Sequence, residues 1–96
     1  MNCNQIDNTD YYRLPCGRYL EDYIHARGLS FAEGSALKYM WRAGKKDGES
    51  CVKDMAKCAH YVMFIALNEC SSYTKVYNYI ESMCNEAREW KGGKSE

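Results

Sequence analysis

The strongest constraint on the fold lies in the second half of the chain. Val52, Met55, Ala59, Val62 and Ala66 recur at intervals of 3, 4, 3 and 4, with Met63 and Leu67 widening the stripe. Val76, Ile80, Met83, Ala87 and Trp90 follow at 4, 3, 4 and 3. A period near 3.6 puts each set on one helical face. The spacing predicts a helix from Cys51 to about Cys70 and another across residues 73–90, paired as a long antiparallel hairpin at a shallow crossing angle. Heptad-like spacing also leaves an apolar face for a second subunit, so a homo-oligomer is expected.

The first half carries two shorter helical signals. Leu14-Pro15 leads into a helix over Cys16 to Ala26, with Tyr19, Leu20, Tyr23 and Ile24 on one face and Gly28 as its stop. Ser30 and Glu33 then form a capping box for a second helix. Phe31, Leu37, Met40 and Trp41 give it an apolar stripe, and Gly44 ends it. Ser50 is the expected N-cap of the long third helix. With no strand pattern and no internal linker, the reading is all-α, a small helical bundle in one domain over residues 1–96. Residues 1–13 form a polar, aromatic arm without periodicity, and residues 91–96 a frayed tail.

Composition narrows the function classes. Thirteen cations balance thirteen anions, which disfavours general nucleic-acid binding. No stretch reaches the roughly 18 apolar residues that span a bilayer, and the N-terminal residues lack the basic and apolar regions of a secretory signal. A cytoplasmic location and no membrane partner are therefore expected. None of the six cysteines forms a Cys-x-x-Cys pair, so free thiols are expected, with Cys58 and Cys70 as small packing residues.

Against that neutral background stands a local excess of cations. Lys38 and Arg42 share one face of the second helix, and Lys45 and Lys46 continue into a glycine-flanked turn. Lys53, Lys57 and His60 recur on one face of the third helix, which a tight turn would bring close. Two readings stay open on pattern alone. Lys45 and Lys46 can face the carbonyls that end the second helix, the rest being surface charge. Alternatively the two rows hold an anion, aided by the free N–H groups that open the third helix. Tyr39 and Trp41 are candidates for stacking on a base, although a helical Trp is more often core. His25 is read as a dipole partner at the end of the first helix. Neither G-x-x-x-x-G-K-[ST] nor G-x-G-x-x-G occurs. Glu21 with Asp22, or Asp54, could touch Mg²⁺, but no tandem E-x-x-E set supports a metal site.

The stretch GLSFAEGSALKYMWRAGKKDGES, followed by KDMAKCAHYV, resembles a small phage-encoded family. Its core reads roughly G-L-S-F-x-x-G-N-A-I-K-Y-x-W-R-A-G-K-K, then E-D-L-x-K-A-x-W-Y-L. The family is catalogued as a domain of unknown function and often labelled a phage nucleotide kinase. The likeness covers about residues 14–67, and its most specific part runs from Lys38 to Lys46. Gly34, Lys38, Tyr39, Trp41, Arg42, Gly44, Lys45, Lys46, Asp54, Lys57 and Tyr61 stand where the pattern has the same residues. Ser35 replaces an Asn, Lys53 an acidic residue and His60 a Trp.

The resemblance implies a nucleotide ligand, its phosphates held by Lys38, Arg42, Lys45, Lys46 and Lys57, to which the helical spacing adds Lys53 and His60. One function it allows is binding without turnover, in which a phage oligomer sequesters a nucleotide or cyclic-nucleotide signal of host defence. A second is a nucleoside monophosphate kinase, which alone would call for Mg²⁺ with ATP; otherwise no cofactor is expected. The third is a helical interaction module in which the cations are incidental.

Overall fold

The structure is a computed structural model that describes residues 11–45 and 48–93. Among the described residues it is all-α, with four helices: α1 (Leu20–Arg27), α2 (Phe31–Ala43), α3 (Gly48–Asn68) and α4 (Tyr73–Glu89). Helices α2, α3 and α4 run up, down and up. Arg42 at the end of α2 meets Asp54 near the start of α3, whereas Arg88 at the end of α4 lies over the Trp41 ring. The antiparallel α3–α4 hairpin is present, with Cys51 and Met55 beside Glu81 and Cys84 at one end and Ile65 beside Val76 at the other.

The first helix begins later than the spacing predicted. Leu14-Pro15-Cys16-Gly17 closes as a β-turn, with the Gly17 amide donating to the Leu14 carbonyl at 2.9 Å. Proline at the second position and glycine at the fourth favour this turn over a helix. The Leu14 amide donates to Arg18 O at 2.7 Å, and Arg13 pairs with Tyr19 in an isolated antiparallel bridge. Helix α1 then starts at Leu20, where the Asp22 carboxylate accepts from the Tyr19 amide at 2.9 Å. It stops at Gly28, whose φ of 65° permits the 28→25 and 29→24 backbone bonds of a Schellman motif. The Ser30–Glu33 capping box is formed in both directions, at 3.1 and 2.9 Å.

Helix α3 differs from its sequence reading at both ends. It starts at Gly48, so Ser50 lies inside the first turn rather than capping it. Its buried face is Asp54, Cys58, Val62, Ile65 and Ala66. Val52, Met63 and Leu67 are instead 67%, 46% and 71% exposed. The face is rotated because Asp54 turns inward to meet Arg42. Phe31, assigned to the α2 stripe, is likewise 80% exposed. Cys70 lies beyond α3 with φ of 52°, exposed in the connection rather than packed. The cysteines among the described residues are free thiols, and Cys3 lies outside those residues.

Four members of the α4 stripe, Val76, Ile80, Met83 and Ala87, are buried together with Cys84, whereas Trp90 follows the helix as its extended C-cap. These meet Leu20, Tyr23, Leu37, Trp41, Cys58 and Val62 in one continuous core. Gly34 lets α1 lie close on α2, since a Cβ there would stand 3.1 Å from Ile24 Cγ2. The Tyr23 hydroxyl crosses the core and donates to Glu86 at 2.6 Å, and Glu86 also pairs with Arg27, tying α1 to α4. Burial raises the Tyr23 pKa, with Arg27 opposing it. No helix among the described residues is long and apolar enough to cross a membrane.

Candidate functional site

Among the described residues the cations singled out by the sequence do not converge on a common centre, and each is already engaged. Arg42 Nε stands 3.5 Å from Asp54 Oδ2, and the Asp54 side chain is only 6% exposed. The Arg42 pKa is raised, chiefly by its hydrogen bond with the Tyr12 side chain and further by Asp54. Lys38 Nζ lies 3.7 Å from Glu21 and over the Tyr12 ring. Lys45 lies over Trp41, and Lys57 over Tyr39. Lys53 pairs one turn back with Glu49 at 3.9 Å. His60 is exposed and meets the Tyr61 ring edge-on. Lys46 falls outside the described residues.

The two stacking candidates part company. Trp41 is 4% exposed, donates its indole N–H to the Tyr11 carbonyl at 2.7 Å, and carries Lys45 and Arg88 over its ring. Its ring is part of the core. Tyr39 is half-buried and stacks on Tyr61 at 6.1 Å between centroids, and Phe31 meets the same Tyr61 edge-on. The cation–aromatic contacts each contribute on the order of 0.5–1 kcal/mol at exposed positions. They also account for the arm: Tyr11 and Tyr12, which show no periodicity, lie against Arg42 and Lys38.

The concave feature beside this face is a cavity of about 340 Å³ between α1 and α2. The motif residues Gly28, Leu29, Phe31, Gly34, Ser35 and Lys38 line it, with Glu21, Ile24 and His25 from α1. The Schellman turn at Gly28 and the capping box at Ser30 fix the angle between the helices and so hold the cavity open. Glu21, His25 and Ser35 are the members that the cation pattern did not select; their signal was proximity to the turn at Gly28. Of the predicted cations among the described residues, Lys38 alone lines this cavity. Among the described residues no group of three or more His, Cys, Asp or Glu side chains is placed to hold a metal ion.

Fold and site together define an all-α bundle protein with a cation-rich, aromatic-lined surface beside a small cavity. Known sequences extend this. The chain is 36% identical over 87 residues to the SaV protein of Lactococcus phage SK1, covering 83% of this chain and 68% of that protein. It is 37% identical over 62 residues to the SaV protein of Lactococcus phage p2, covering 58% of this chain and 48% of that one. The chain belongs to the family of phage SaV proteins. It spans about half the length of the p2 protein and about two thirds of the SK1 protein in these alignments. No protein-family model matches the chain, and no solved structure matches it.

Proposed function

We propose that this phage protein binds a nucleotide in the α1–α2 cavity, with Lys38 on its phosphate, and holds the ligand without turning it over. The observation that carries the reading is the gathering of Gly28, Ser35 and Lys38 around one cavity of about 340 Å³, within the roughly 300–1,000 Å³ range of small-molecule sites. Lys38 is also a readily released cation. Its partner Glu21 is largely exposed and 3.7 Å away, and such surface pairs contribute only about 0–1 kcal/mol. Ser35 and His25 supply further hydrogen-bonding groups, and Ile24, Leu29 and Phe31 an apolar wall for sugar or base. In the host cytoplasm such a protein would act as a sink for a nucleotide signal.

Native mass spectrometry with mono-, di-, tri- and cyclic nucleotides tests this directly. A stoichiometric, unaltered nucleotide is the expected result, and Lys38→Glu should lower affinity roughly 10- to 100-fold, the equivalent of one charge-assisted hydrogen bond. Conversion of a monophosphate to a diphosphate in the presence of Mg²⁺ and ATP would favour the kinase reading instead. Absence of any binding at millimolar nucleotide would sink both.

A specific observation favours an association role alongside. Phe64 and Leu67, three residues apart on α3, are 52% and 71% exposed, and neighbouring exposed apolar side chains mark interaction surfaces. We propose that this face pairs with a second copy. Phe64→Ser with Leu67→Ser should then yield monomers of nearly unchanged melting temperature in light-scattering and thermal measurements. A wild-type chain that is monomeric at micromolar concentration would rule the pairing out.

A further inference from the structure

The far side of α1 carries a second cavity of about 490 Å³. Its walls come from two parts of the chain that are remote in sequence: Arg18, Asp22 and His25 in and just before α1, and Trp90 with Gly92 and Gly93 after α4. His25 lines both this cavity and the first. We propose that this second cavity is a binding site for a nucleoside monophosphate, with its phosphate on Arg18 and its base against the Trp90 indole. This goes beyond the reading of the α1–α2 cavity and does not depend on it.

Three observations carry the assignment. The first is the arginine. Among the described residues Arg18 makes no ion pair, in contrast to Arg27, Lys38, Arg42 and Lys53, each of which faces a carboxylate. A guanidinium presents a planar fork of donors that matches phosphate oxygens. The second is the glycine beside it. Gly92 has φ of +92°, and a Cβ there would stand 3.0 Å from Arg18 Nε. The positive φ favours glycine there, and its bare Cα lets the arginine side chain lie close against the backbone after α4.

The third is the fixed indole. Trp90 meets Tyr23 edge-on at 5.6 Å and donates its N–H to the Gly93 carbonyl at 2.9 Å. Its orientation is therefore set before any ligand arrives, which lowers the cost of stacking a base on it. Asp22 decides between mono- and polyphosphates. Its carboxylate caps α1 through the Tyr19 amide and lines the same wall. A second or third phosphate beside it would be repelled, whereas a single phosphate on Arg18 is not crowded by further anions in the lining.

The test is a titration of the full-length protein with AMP, followed by amide and indole NMR signals. Saturable movement of the Trp90 indole and of the Gly92 and Gly93 amides is expected. Arg18→Ala should weaken that response roughly tenfold, the value of a lost charged hydrogen bond. Gly92→Ala should weaken it too, by pushing the guanidinium aside. Inorganic phosphate alone should move Gly92 but leave the Trp90 indole nearly still. Signals of Ser35 and Lys38 report the first cavity separately, so either site can fail without the other. A Trp90 indole that stays still at millimolar AMP would overturn the proposal. So would an Arg18→Ala protein that responds as the wild type does.

Discussion

Arg42 is the clearest case in which sequence and structure assign one residue different work, and removing it separates the two. The guanidinium lies 3.5 Å from a carboxylate that is 6% exposed, and is itself about one-third exposed. At an effective dielectric constant near 20, unit charges at that distance attract by roughly 5 kcal/mol before desolvation is deducted. Removing one member of a fully buried pair costs about 3–5 kcal/mol. Water reaches Arg42, so Arg42→Met should cost less, roughly 2–3 kcal/mol, and lower the melting temperature by about 10–20 °C in a chain of this size. Asp54→Asn leaves a cation that water can still solvate, and should cost about 1 kcal/mol. Urea unfolding of both single variants and of the double variant gives the coupling, expected at about 1–2 kcal/mol. A coupling below about 0.5 kcal/mol would refute the structural role. An Arg42→Met protein of unchanged stability that had lost nucleotide would return Arg42 to the ligand.

Three other perturbations reach different parts of the argument. Gly34→Val places methyl groups where even a Cβ is 3.1 Å from Ile24, so it should cost roughly 1–3 kcal/mol by thermal unfolding; a neutral result would mean that α1 is not held on α2. Burial pushes the Cys58 thiol from 9.0 up to about 11. The neutral thiol is the form the fold prefers, so its contribution is full below about pH 9 and is lost as pH climbs toward 11. Stability of the wild type should therefore fall more steeply across that window than stability of Cys58→Ala, and equal slopes would contradict the burial. Glu21→Gln frees Lys38 at an exposed site and should tighten nucleotide binding roughly two- to fivefold by calorimetry, the equivalent of a weak surface pair; weaker binding would place Glu21 on the ligand.

Much of the architecture was legible because helices announce themselves by period. The Ser30–Glu33 box is present as expected, and the α4 stripe is present from Val76 to Ala87, with Trp90 just beyond the helix. The α3 stripe was harder, because the sequence offers two overlapping apolar faces and nothing local chooses between them. The choice was made by Asp54, a charged residue that no hydrophobic pattern would send inward, and by its distant partner Arg42. The first helix was misjudged at its start for a local reason that Pro15 and Gly17 did signal, the β-turn that they favour. The site was less legible than the fold. Cations on one face look like a phosphate cradle until their partners are known, and Glu21, Tyr11 and Tyr12 are too far along the chain to be paired by spacing.

The fate of each cation follows from the cost of freeing it. Arg42 is held by a buried carboxylate and a tyrosine hydroxyl, and a phosphate that captured it would leave Asp54 charged in the core. That exchange is unfavourable because it breaks a buried ion pair. Lys45 and Lys57 lie over aromatic rings and could turn outward at a cost of about 1 kcal/mol each. Neither lines the cavity that the motif builds. Lys38 does, and its carboxylate partner returns to water with little penalty once the lysine leaves. A run of residues from Gly28 to Lys45 thus serves two ends. Its C-terminal half, through Trp41 and Arg42, locks α2 to the arm and to α3. Its N-terminal half, from Gly28 to Lys38, shapes the concave junction with α1. An anion should therefore bind toward the start of α2, one to two turns away from the densest cation cluster, because there a readily released charge lines a cavity.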